Sequence, residues 1–446
     1  MGVLSKRKKE NSFLAWLTII HAILALTPIL NTIPLFTMLD FAVVAIWLLS
    51  FYLSYRQEVV ENSEIYRIII LSSFILLIVV SYHIIGLSTA SIGKCIRYWE
   101  WFMSVIMGWF CCVFLSEKRQ KWVLYSVSFV VVINLLDNIR ITYGLDPESI
   151  ELLMNEMHEM VSFVNFGGTS FTGVALFFCM IAFMSILYSS GYKRMIFVVM
   201  FCISTYYTVY CGMRGTTVIM LLLFLVVSIY SYNRKSGKLL GRLFSYFMIF
   251  AFVIVLSAGD TIVDMVVSVL PSERLAIRFM DAYSVTNEGI SDDSFTGRTR
   301  LYEISINSWL DNWLSFCFGI GEKAYEKGVV DKYSAAGISG HSDLIDLLAK
   351  FGIMGSSIFF YLFYIIFKLY KKAFHKFRFC NQILAIYIIF ILYGVLKRIF
   401  SMDIALVIFV LLPLAGWYLS NINSGYKVTK QIYNVKKIQQ NDANQL

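Results

Sequence analysis

The chain has 446 residues, of which 58% are hydrophobic and only 15% charged, with a mean hydropathy of +0.70. So apolar an inventory exceeds what a water-soluble fold can cover with polar surface, which excludes an ordinary soluble domain and makes lipid the solvent. The formal net charge of +9 would suit nucleic acid, but the basic residues fall in short clusters between apolar runs and no nucleic-acid-binding motif accompanies them. That placement suits anionic lipid headgroups and excludes a nucleic-acid partner.

In chain order, residues 1–12 form a basic start with Lys6, Arg7, Lys8 and Lys9, and no small-residue cleavage site follows. The first apolar run therefore reads as a retained helix. Residues 13–258 hold nine apolar runs, at 13–30, 35–53, 68–87, 98–115, 122–136, 171–188, 195–211, 216–230 and 243–258. Residues 341–420 hold three more, at 344–367, 383–396 and 404–419. Each is long enough for a helix across a hydrocarbon core of roughly 30 Å, where only a helix satisfies its own backbone. The expectation is an all-α, polytopic membrane bundle of about twelve transmembrane helices.

An even number of spans puts both termini on one side. That side collects Arg56 and Arg67, then Lys118, Arg119 and Lys121, then Lys193 and Arg194, then Lys368, Lys371, Lys372, Lys376 and Arg378. By the positive-inside rule it is cytoplasmic, as is the polar, basic tail 421–446.

Two outer segments exceed ordinary connectors. The first, 137–168, is acidic, and the spacing of Ile150, Met154, Met157 and Val161 predicts a short interfacial helix. The second, 259–340, lies between helices 9 and 10 and is rich enough in apolar residues to fold as a large extracytoplasmic loop. Within it Leu301, Ile304, Ser305, Ser308, Trp309 and Asn312 recur at helical spacing, predicting an amphipathic helix over the outer mouth of the bundle. Gly319, Gly321, Gly328, Gly337 and Gly340 then mark turns leading into the tenth span.

Few residues suggest chemistry. Arg214, in Cys-Gly-Met-Arg-Gly, and Arg298, in Phe-Thr-Gly-Arg-Thr-Arg with Arg300, stand beside glycine at the membrane edge, where a guanidinium forks onto phosphate oxygens. The plain alternatives are a snorkelling arginine at Arg214 and solvated or carboxylate-paired arginines at Arg298 and Arg300. His341 opens the tenth span, where Ser342 or Asp343 could cap the helix and leave an imidazole free to move a proton. The plain alternative there is a pre-cap residue without a task. His21 and His83 fall inside spans and read as buried structural residues, whereas His158 and His375 read as surface residues. Asp40, Glu100 and Asp346 are acids near span ends, which gives ion-coupled transport little support. The eight cysteines lack metal-type spacing, so no metal and no cofactor is expected.

The twelve-span layout, Arg-Gly at the eighth span, Gly-Arg in the long loop, and His341, Ser342, Ile345 and Gly352 after a Gly-Ile-Gly resemble the bacterial O-antigen polymerase and O-antigen ligase family of membrane glycosyltransferases. Isoleucine stands at Ile345 where that family's pattern has leucine. The resemblance implies that Arg214 and Arg298, with Arg300 as an alternative, hold the pyrophosphate of a polyprenyl-linked oligosaccharide. It also implies that His341, with Ser342 beside it, lies at the reacting centre of a metal-independent, inverting transfer. Donor and acceptor would both be polyprenyl-pyrophosphate-linked, and membrane lipid, a flippase and a chain-length regulator would be partners in the bacterial cytoplasmic membrane. The favoured expectation is a repeat-unit polymerase. A ligase, a polysaccharide flippase or exporter, and a non-catalytic assembly component are the alternatives.

Overall fold

The computed structural model describes residues 12–27, 30, 33–86, 92–142, 168–189, 191–210, 219–220, 223–224, 226–227, 293–322, 337–340 and 342–424, with 293–300 described by backbone alone. Every long element among them is a helix. In chain order these are α1 (Ser12–Leu26), α2 (Pro34–Glu61), α3 (Ser63–Ile84), α4 (Ile92–Phe114), α5 (Glu117–Thr142), α6 (Gly168–Tyr188) and α7 (Tyr192–Tyr210). After the long loop come α8 (Asp293–Leu310), α9 (Trp313–Phe318), α10 (Asp343–Phe374), α11 (Cys380–Leu396) and α12, which begins at Met402 and ends at Ser424. The predicted spans 216–230 and 243–258 and the interfacial helix near 150–161 lie largely or wholly outside the described residues.

Among the described residues six helices are long and apolar enough to cross a membrane: α2, α3, α5, α6, α10 and α12. α1 and α11 are apolar but shorter. Burial separates centre from rim. The apolar windows of α6 and α12 are 94% and 100% buried, whereas those of α2 and α3 are 28% buried, so α6 and α12 form the centre and α2 and α3 turn apolar side chains outward. Exposed Leu35, Leu49, Leu53, Phe74 and Leu77 make sense only against lipid.

Local sequence explains the ends. Pro34 opens α2, where its missing N–H costs nothing, and Asn62 caps α3 by accepting from Ile65 N. Inside the bundle Trp47 donates from Nε1 to Leu14 O and Thr18 Oγ1, tying α2 to α1. α4 meets α12 at Gly108, where an added Cβ would fall 1.7 Å from Phe409 O. That contact lies in the π-helical turn Val407–Leu411, and Tyr370 of α10 donates to Ile408 O within it.

The two ends of the bundle differ chemically. Glu64 at the start of α3 meets Lys368 and Lys372 near the end of α10, so these helices run antiparallel. At the opposite end the Tyr82 hydroxyl of α3 donates to Phe318 O of α9, and Tyr98 of α4 reaches Glu322. Arg56, Arg67, Lys118, Arg119, Lys121, Lys193 and Arg194 sit at helix ends that share the Lys368 side.

Candidate functional site

The glycines and the serine of the sequence pattern, Gly319, Gly321, Ser342 and Gly352, gather at the start of α10. This helix is broken at Gly352, whose φ of +61° only glycine adopts without strain. The break leaves the carbonyls of Ala349 and Lys350 without helical partners, and Ile320 N and Gly321 N donate to them at 2.8 and 3.1 Å. Gly319, φ +80°, makes the approach possible from the other side, since an added Cβ there would fall 2.3 Å from Lys350 O. At Gly352 an added Cβ would fall 2.3 Å from the carbonyl carbon of Cys317. The Gly-Ile-Gly and the distant glycine of the pattern are therefore two halves of one backbone contact that docks the outer segment onto a broken helix.

The same end is fixed by side chains. Ser342 caps α10, accepting from Ile345 N at 3.2 Å and donating to Gly394 O at 3.3 Å, and is fully buried. Of the two caps left open by the sequence, Ser342 is the one used. Asp343 instead accepts from Ile399 N and Phe400 N at 2.5 and 2.7 Å, clamping the turn between α11 and α12. Arg398 of that turn donates from Nε to Gly340 O at 2.7 Å.

The predicted amphipathic helix is α8, which starts earlier than its sequence signature and ends at Leu310, so that Asn312 of the signature instead caps α9. Ser305 of α8 donates to Asp346 Oδ1 at 2.6 Å and accepts from Ser339 N at 3.0 Å, while Ser308 accepts from Gly337 N at 2.8 Å. Segment 337–340 is thus threaded between α8 and α10. Asp346 is 1% exposed, and its Oδ2 has no hydrogen-bond partner among the described residues. One turn deeper, Lys350 Nζ donates to Glu322 Oε1 at 2.7 Å and to the Tyr98 hydroxyl at 2.8 Å, and that hydroxyl reaches the same carboxylate oxygen at 2.9 Å.

Of the predicted site residues, Arg214 and His341 lie outside the described residues. Gly340 and Ser342, which flank His341 in the chain, are held as described above. Arg298 and Arg300 lie on the first turns of α8, the helix that Ser305 fastens to α10. Arg298 and Ser305 are seven residues apart, so their Cα atoms fall on one line along that helix. Lys350, Glu322 and Tyr98 were absent from the sequence-based candidates. They are separated widely in the chain, and the only signal near them was the glycine pattern. Among the described residues no group of three His, Cys, Asp and Glu side chains converges as a metal site. No protein-family model matches the chain and no curated protein matches its sequence, so its function is to be read from its own residues.

Proposed function

We propose that the protein is a membrane glycosyltransferase that polymerises polyprenyl-pyrophosphate-linked oligosaccharide repeat units at the outer face of the bacterial cytoplasmic membrane. The full chain would cross the bilayer about twelve times with both termini inside. The observation that carries this reading is the gathering of Gly319–Gly321, Gly340, Ser342 and Gly352 around the broken start of α10, against the helix that bears Arg298 and Arg300. Gly319, Gly321, Ser342 and Gly352 are part of the pattern on which the resemblance rests, and each has a backbone or capping reason to be what it is. The basic helix ends on the far side support the orientation.

The chemistry is a displacement. An acceptor hydroxyl oxygen attacks the anomeric carbon of the donor, the bond from that carbon to the pyrophosphate oxygen breaks, and the configuration inverts. Polyprenyl pyrophosphate leaves as an anion that Arg214 and Arg298 or Arg300 would stabilise, and the hydroxyl proton passes to His341. The docked outer segment would keep water from the donor.

The test is made in producing cells with Arg214→Ala, Arg298→Ala and His341→Ala at normal protein levels. Expected are single repeat units accumulating on lipid outside, with long glycan lost. Long glycan of ordinary length from all three variants rejects the assignment. A second reading, ion-coupled export of glycan, draws on the ionisable residues buried between α1, α2 and α4. It predicts repeat units trapped inside instead.

A further inference from the structure

Helix α4 separates two buried polar groups. One of its faces carries Tyr98 to Lys350 and Glu322. Another turns Glu100 toward α1 and α2, where His21 Nδ1 lies 2.6 Å from Asp40 Oδ1. His21 is 0%, Asp40 6% and Glu100 4% exposed. His21 Nε2 is buried and has no hydrogen-bond partner among the described residues.

Every element packed on this imidazole matters to its charge. α2 brings Asp40, and α4 brings Glu100, which interacts electrostatically with both His21 and Asp40 and with Arg97 on the same helix. The first turn of α12 packs on α1 and brings Asp403, which also interacts with Arg97. α5 meets α1 at the Trp16–Trp122 ring contact, and its next turns carry Val123, Val127, Ser128 and Val131 with no charge. Asp40 and Glu100 therefore face one imidazole, and Glu100 and Asp403 face the half-buried guanidinium of Arg97.

Unbalanced charge is expensive in the interior of an apolar bundle, and a group of this kind relieves it by holding protons. These donors do not converge as a metal site. Buried ring nitrogens are mostly partnered, and His21 Nε2 has no partner among the described residues.

We propose that His21, Asp40 and Glu100 form a buried proton-binding site whose occupancy follows the pH at the end of the bundle that carries Glu322 and Arg398. A proton taken from water there converts the imidazole–carboxylate pair to imidazolium–carboxylate, or a carboxylate to its acid, and no other bond changes. Its occupancy sets the charge held among α1, α2 and α4 and so links their packing to pH. The inference does not depend on the glycosyl-transfer reading.

The experiment uses the purified full-length chain in lipid nanodiscs, titrated over about pH 5 to 9. Infrared difference spectra follow carboxyl and imidazole bands in the wild type and in His21→Gln, Asp40→Asn and Glu100→Gln, with exposed Asp311→Asn as control. The wild type and control are expected to share a titrating buried carboxyl band that moves or disappears in each cluster variant. Should those variants fail to fold, the chain carrying glutamine at the other four histidines, which leaves the cluster intact, is labelled with 13C-histidine, and one titrating imidazole resonance is expected. A wild type with no titrating buried carboxyl band, cluster variants that titrate as it does, or a lone His21 resonance that stays fixed across the range would each overturn the proposal.

Discussion

Two lysine–glutamate pairs at opposite ends of the bundle show how differently the same chemistry is used. Lys372 and Glu64 stand 3.4 Å apart with the lysine 52% and the carboxylate 9% exposed, at the rim where basic helix ends collect. Lys350 and Glu322 stand 2.7 Å apart, each 12% exposed, and share the Tyr98 hydroxyl. At the first end, charge orients the protein and the exact partner matters less, because two water-exposed lysines, Lys368 and Lys372, serve the one carboxylate. At the second, burial makes partner and geometry decisive, and the backbone itself is locked by paired glycines.

Gly352→Ala attacks that lock most directly. It places a Cβ against Cys317 at a positive φ, and strain and overlap together should cost on the order of 4 kcal/mol. The expected readout is a lowered unfolding temperature together with easier proteolysis near 319–322. Lys350→Met is next, at about 3 kcal/mol, since it leaves the Glu322 carboxylate buried without its cation. Double-mutant cycles with Glu322→Gln should recover part of that loss.

Asp343→Ala removes the acceptor for Ile399 N and Phe400 N and should cost about 2 kcal/mol, read as loosened amide exchange in the turn between α11 and α12. Glu64→Gln, where half-exposed lysines serve a buried carboxylate, should change stability by no more than about 1 kcal/mol. An effect of Glu64→Gln as large as that of Lys350→Met would erase the distinction between the ends.

Much of the fold was legible because lipid imposes a simple rule on sequence. Every predicted span except 216–230 and 243–258 coincides with a described helix, and the serine and tryptophan spacing foretold α8. Lengths were less readable. α2 reaches Glu61 only across a break at Tyr55 (φ −133°, ψ 23°), close to the predicted end at 53, and the polar stretch beyond it is a further helical segment. The π-helical turn of α12 and the break in α10 left no periodic trace, since both arise from backbone contacts with other segments.

The candidate site was legible only as a pattern. Gly352 could be marked from its spacing to Ser342, but its partner Gly319 and the carbonyls between them are a tertiary fact. Asp40 and Glu100 were read as span-end acids, because the pairing of Asp40 with His21 crosses a turn that hydropathy cannot resolve. Arg214 and His341, on which the chemistry rests, lie outside the described residues.

The most direct test is incubation of the purified wild-type protein with a polyprenyl-pyrophosphate-linked repeat unit from its own assembly system, followed by electrophoresis of the products. A ladder spaced by one repeat unit, lost in His341→Ala protein that still folds, is the predicted result. Folded wild-type protein that leaves the repeat unit at its starting length would contradict the account.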